Sequence, residues 1–209
     1  MRVGIFGGTF DPIHNGHLAI AQTAINELPL DRVLFIPAAI PPHKLNQEIS
    51  SAEIRLELVK LAVADNPQFE ISTIELDRDG PSYMVDTVRQ LKTEHPEWDL
   101  YLIIGADNLL GFHEWRQPDE ILRYCRLAVY PRYESDIQRV PSDLLNRCVI
   151  FKAPRMEISS SYIRRLVYEG KSIRYLVPDC IDDYIRRKQL YRHHLRTENG
   201  AVETGHCIG

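Results

Sequence analysis

Val3-Gly4-Ile5-Phe6-Gly7-Gly8-Thr9-Phe10-Asp11-Pro12-Ile13-His14-Asn15-Gly16-His17-Leu18 is the stretch that decides the fold. Val3 to Phe6 is short, apolar and bounded by glycines, as a buried strand is. From His17 to Leu28 the apolar residues Leu18, Ile20, Ala21, Ala24, Ile25 and Leu28 recur at helical spacing. The predicted order is strand, glycine turn, helix. Glycines let a ligand approach the backbone closely, and a helix starting beyond them presents free N–H groups and a partial positive end. Gly7, Gly8, Thr9 and Phe10 therefore read as an anion cradle. It is neither a Walker A loop, since no Gly-Lys-Ser/Thr follows, nor a G-x-G-x-x-G dinucleotide fingerprint.

The same alternation continues along the chain. Val33 to Ile36 reads as a strand, Ile54 to Val63 as an amphipathic helix, and Ile71 to Leu76 alternates as a strand should. Tyr83 to Thr93 returns to helix with Pro96 as its stop, and Leu100 to Ile104 is an apolar strand ending in Gly105. Ile121 to Tyr124 is a helical piece, followed by strands at Leu127 to Tyr130 and Cys148 to Phe151. Near-continuous apolar strands alternating with helices predict an α/β fold, a doubly wound parallel sheet covered on both faces. Ligands of such sheets bind at the carboxyl ends of the strands. The glycine turns after Phe6 and Ile104 can then face one crevice, with the segment Pro37 to Lys44 as a loop over it.

Composition narrows the partners. The 209 residues are 44% hydrophobic and 26% charged, enough for one domain with a full core. A net charge of -4 and a pI near 6.1 create no field that would attract nucleic acid or an anionic membrane, so an anionic ligand must be held by a local cluster. The N-terminus has no sustained apolar segment and no run approaches the ~20 apolar residues of a membrane span, which predicts a cytoplasmic protein. Cys125, Cys148, Cys180 and Cys207 are scattered without a C-x-x-C pair, arguing against a zinc ribbon or a disulfide framework. Residues 1–191 are expected to form the domain and 192–209, where apolar periodicity is lost, a flexible tail.

His14 and His17 are three apart and can point the same way if the helix begins near Asn15 or Gly16. Solvated loop histidines and a metal pair are the alternatives to a phosphate site. A zinc site would need further ligands at recognisable spacing, and His43, His95, His113 and the histidines near the C-terminus form no such pattern.

The segment Gly7 to Leu18 resembles the (T/H)xGH signature of the nucleotidyltransferase superfamily, and in its longer form the nicotinate mononucleotide adenylyltransferases. Ile158-Ser159-Ser160-Ser161-Tyr162-Ile163-Arg164 is similar to a second landmark of that family, with Ser161 replacing a threonine and keeping its hydroxyl. Pro41-Pro42-His43-Lys44, Gly80-Pro81-Ser82-Tyr83, Gly105-Ala106-Asp107 and Trp115 lie between them in the family's order. The resemblance implies a Rossmann-like nucleotidyltransferase fold with a small C-terminal helical portion. It also implies transfer of AMP from ATP to nicotinate mononucleotide, with Mg²⁺ accompanying ATP and no protein ligand nominated for the metal.

Under that resemblance His14, His17, Lys44 and Arg164 are the catalytic cations. Gly7, Gly8, Thr9, Phe10, Gly105, Asp107, Ser159 and Ser160 join them around ATP. Thr9, His43, Lys44, Tyr83, Met84, Trp115 and Arg132 would bind the mononucleotide, Trp115 by stacking on the pyridine ring. Independently of the family, Ser159 suits a helix N-cap, Asp107 suits either a ribose or an N-cap, and Trp115 and Arg132 suit core and surface. Met84 stands where the family pattern has threonine, so a hydroxyl near the nicotinate carboxylate is missing. Nicotinamide mononucleotide as acceptor, a phosphopantetheine adenylyltransferase and a non-catalytic ATP-binding module are the rival readings, and a homo-oligomer is left open.

Overall fold

The computed structural model describes residues 1–42, 48–131 and 137–192. His43, Lys44, Arg132 and residues 193–209 of the expected tail 192–209 lie outside the described residues. Six parallel strands form one sheet: β1 (Arg2–Gly8), β2 (Arg32–Pro37), β3 (Phe69–Ile71), β4 (Asp99–Gly105), β5 (Cys125–Tyr130) and β6 (Cys148–Ile150), in the order β3-β2-β1-β4-β5-β6. The crossovers carry α1 (Asn15–Glu27), α2 (Ala52–Val63), α3 (Met84–Glu94), α4 (Ala106–Leu110) and α5 (Pro118–Tyr124). A short α6 (Ser142–Leu145) precedes β6, and α7 (Ser160–Tyr168) and α8 (Asp179–Lys188) form the C-terminal portion.

Side chains alternate across each strand, and both sides are buried. Val3 and Ile5 pack with Leu100, Leu102, Ile104, Val85 and Val88 on one face, while Phe6 packs with Phe35, Ile103, Ala21, Ile163 and Ile181 on the other. Two apolar layers on one sheet are the doubly wound arrangement expected. The strand order reverses between β1 and β4, the switch point where the helices after neighbouring parallel strands leave to opposite faces and open a crevice. The register Arg2↔Asp99 to Ile5↔Leu102, carried on, brings Gly8 level with Gly105. The two glycine turns therefore open at the same end of adjacent strands.

One expected element differs. Ile71 to Leu76 is not a strand; β3 ends at Ile71 and residues 74–77 form a turn. The Thr73 carbonyl accepts from the Leu76 and Asp77 amides, and the Thr73 hydroxyl donates to Asp77 Oδ2 at 2.7 Å. This local closure replaces the ladder. The alternation that suggested a strand arises because Ile74 is buried against the neighbouring apolar layer.

Candidate active site

At the end of β1 the chain turns through Thr9 to His14 and enters α1 at Asn15, where the sequence expected the helix to begin. His14 is the extended residue before the helix, and its ring stacks on that of His17 with centroids 3.6 Å apart. The His14 backbone N–H donates to His17 Nδ1 at 3.2 Å. An accepting Nδ1 leaves the proton of a neutral His17 ring on Nε2, which makes that nitrogen a donor. Phe6 and Phe10 meet the His17 ring edge-on at 6.0 and 5.2 Å and hold its plane.

Phe10 has φ of 51° and is 2% exposed, its ring packed with Phe6 and Phe35. Its side chain belongs to the core, so only its backbone faces the turn. The ring also explains Gly8: a Cβ there would lie 2.9 Å from Phe10 Cζ. The backbone cradle is narrower than a bare helix end would provide. Asn15 N–H donates to the Leu176 carbonyl at 3.0 Å and His17 N–H to the His14 carbonyl at 2.9 Å.

The second motif docks directly on this turn. Ser159 caps α7 by accepting from Tyr162 N–H at 3.1 Å. Ser160 Oγ donates to the Pro12 carbonyl at 2.8 Å, and Arg164 Nη1 to the Asp11 carbonyl at 2.8 Å. Arg164 Nε is buried without a hydrogen-bond partner. Residues about 150 positions apart thus converge beside His14 and His17.

Across the switch point, Gly105 precedes α4 and Asp107 is exposed in the first turn. Asp107 makes no capping hydrogen bond; its Oδ1 instead covers Gly105, where a Cβ would stand. Of the acceptor-side residues, Tyr83 leads into α3 with the Arg116 guanidinium 4.6 Å from its ring centroid. Met84 opens α3 and reaches β1: its methyl lies 2.9 Å from a Cβ built on Gly7. Trp115 is half-buried against Phe112, centroids 5.3 Å apart. Ser82 joins this segment to the loop after β2, its hydroxyl accepting from Ala39 N–H at 2.9 Å and its N–H donating to the Ile40 carbonyl at 2.9 Å.

Sequence reasoning gave no role to Arg55, Asp11, Glu75 and Tyr191, all buried around the site. Tyr191 hydroxyl donates to Asp11 Oδ1 at 2.7 Å; burial and the neighbouring Asp11 push that phenol well above its usual range, so it stays a donor. Burial pushes the Glu75 carboxyl up, and it accepts from the Thr87 hydroxyl at 2.7 Å. The available signal was Arg55, a charge aligned with Leu58, Val59 and Ala62 on the apolar stripe of α2. Among the described residues no three His, Cys, Asp or Glu side chains gather as a metal site, and no helix is long and apolar enough to cross a membrane.

Residues 5–166 match the cytidylyltransferase-like family. The chain is 43% identical over 195 residues to the Synechococcus sp. (strain JA-3-3Ab) protein named "Probable nicotinate-nucleotide adenylyltransferase", covering 91% of this chain and 94% of that one. It is 42% identical over 212 residues to the protein of the same name from Moorella thermoacetica, covering 98% and 96%. Among solved structures, Plasmodium falciparum nicotinic acid mononucleotide adenylyltransferase complexed with NaAD shares the fold, with a TM-score of 0.75 over 91% of this chain and 97% of that chain at 17% identity. With full-length likeness above 40% and both motifs meeting at one turn, the chain belongs to the cytidylyltransferase-like family and, within it, to the nicotinate-nucleotide adenylyltransferases.

Proposed function

We propose that the protein transfers AMP from ATP to the 5′-phosphate of nicotinate mononucleotide, forming nicotinate adenine dinucleotide and releasing pyrophosphate. The carrying observation is the docking of Ser160 and Arg164 on the Asp11–Pro12 turn beside the stacked His14 and His17. The attacking group is already an ionised phosphate, so no general base is needed. Catalysis then consists of alignment and stabilisation of charge on the α-phosphate and the leaving pyrophosphate. His17 Nε2 is the donor for the α-phosphate, with His14 beside it. Arg164 and the Ser160 region take the β- and γ-phosphates, and Lys44 adds a further cation to this set. Asp107 serves the ribose hydroxyls. Tyr83, Met84 and Trp115 line the pyridine side, with Arg132 as a further cation.

Mg²⁺ bound with ATP supplies charge neutralisation of the triphosphate. Phosphate oxygens and water would hold the ion, since among the described residues no group of His, Cys, Asp or Glu gathers as a metal site. A pyrophosphate-release assay with ATP and three acceptors tests the reaction. Nicotinate mononucleotide should give the highest kcat/KM, above nicotinamide mononucleotide and phosphopantetheine. A preference for phosphopantetheine would overturn the acceptor, and no release with any acceptor would leave an ATP-binding module.

A further inference from the structure

Beneath the segments that follow β1 and β2 lies a guanidinium that touches no substrate in the proposed reaction. Arg55 is 1% exposed, and its fork is spent on carbonyls from three segments. Nε donates to Ser50 at 2.9 Å, Nη1 to Thr9 at 3.0 Å and Ala38 at 2.6 Å, and Nη2 to Ala39 at 3.0 Å. Asp11, also 1% exposed, offsets its charge and is itself held by Ser50 N–H at 3.1 Å and the Tyr191 hydroxyl.

We propose that Arg55 is a positioning residue for the adenylyl transfer: it ties the Thr9 carbonyl on the ATP side to the Ala38 and Ala39 carbonyls on the acceptor side, fixing the spacing between the two half-sites. This rests on the reaction proposed above. Thr9 follows β1 and Ala38 follows β2, so the clamp joins the carboxyl ends of adjacent strands where both loops start. Peptide planarity adds a consequence. Carbonyls of Thr9 and Ala39 aimed at Arg55 turn the N–H groups of Phe10 and Ile40 away from it. An apolar side chain here would leave four carbonyls without their donor and Asp11 without its countercharge, so the clamp needs the guanidinium itself. Lysine keeps the charge but lacks the planar fork, so it cannot serve four divergent carbonyls.

Arg55→Lys tests the clamp, with kcat measured per folded molecule well below the melting temperature and the Kd of ATP and of nicotinate mononucleotide measured singly by calorimetry. The expected result is a kcat lower by about 30-fold or more with each Kd within about threefold, since alignment between bound partners is what is lost. Amide exchange at Ala38 and Ala39, bonded to the Gly8 carbonyl and the Ser82 hydroxyl, should quicken at least ~10-fold. A kcat within twofold of the parent, a Kd loss that accounts for the whole effect, or unchanged exchange would overturn the proposal. If the parent itself releases no pyrophosphate, the reaction assignment fails, and amide exchange alone decides the clamp. If Arg55→Lys does not fold, Tyr191→Phe carries the same readouts, because it keeps the ring and removes only the bond to Asp11.

Discussion

In the proposed reaction His17 carries more of the chemistry than its half-buried position suggests. Its Nδ1 is committed to the His14 backbone, which makes Nε2 of the neutral ring a donor, and its plane is set by His14, Phe6 and Phe10. His17→Ala is expected to lower turnover about 100-fold, the scale of losing one transition-state donor, with the circular dichroism of the parent retained. Near-normal turnover would remove His17 from the reaction. Met84 is proposed to act on specificity instead. Its methyl covers Gly7 at the position where the sequence's family pattern has threonine. Met84→Thr should raise the preference for nicotinate over nicotinamide mononucleotide in kcat/KM by roughly 10-fold, since a buried site that hydrogen-bonds one acceptor penalises the other. An unchanged ratio would assign recognition of the carboxylate to the backbone.

Among the elements, the turn between β3 and α3 is the one whose packing creates a pH dependence. Glu75 lies in this turn, 3% exposed, and is bonded to Thr87 of α3. Burial raises its carboxyl above the ordinary range, so between the ordinary and the raised value the folded chain holds more protons than the unfolded one. Its contribution to stability is therefore greatest at low pH and declines as pH rises through the raised value. Glu75→Gln should remove that decline, and the melting temperature of the variant relative to the parent should climb as pH rises above the ordinary carboxylate range. A constant difference would mean that Glu75 titrates alike in both states. Burial acts likewise on the buried Cys125, pushed up to about 12, and on the half-buried Cys148, pushed up to about 11, which keeps both as thiols near neutral pH. The α7 segment works differently, since Ser160 and Arg164 spend donors on the Pro12 and Asp11 carbonyls and so bring the second motif to the first.

At the scale of the whole molecule, the C-terminal portion closes the site from behind. Tyr191 is 8% exposed with its hydroxyl on Asp11, and Leu190 packs beside the same apolar layer. A chain ended after Gln189 should lose about 3 kcal/mol relative to one ended after Arg192, or about 10 °C in melting temperature, from the lost aromatic packing and hydrogen bond. Equal melting curves would show that Tyr191 does not brace the turn. The amino-acid sequence by itself determined the layered parallel sheet, because apolar strands alternating with amphipathic helices can bury both faces in few other ways. It also determined the two motifs and the start of α1, because glycine turns and caps are local chemistry. Only the tertiary structure decided that Ile71 to Leu76 turns back after three strand residues, that Phe10 joins the core, and that Asp107 covers Gly105. It alone joined Arg55, Asp11 and Tyr191. Those contacts link positions up to 180 residues apart, and whether a buried charge finds partners depends on which segments the sheet order brings together, which no local pattern encodes.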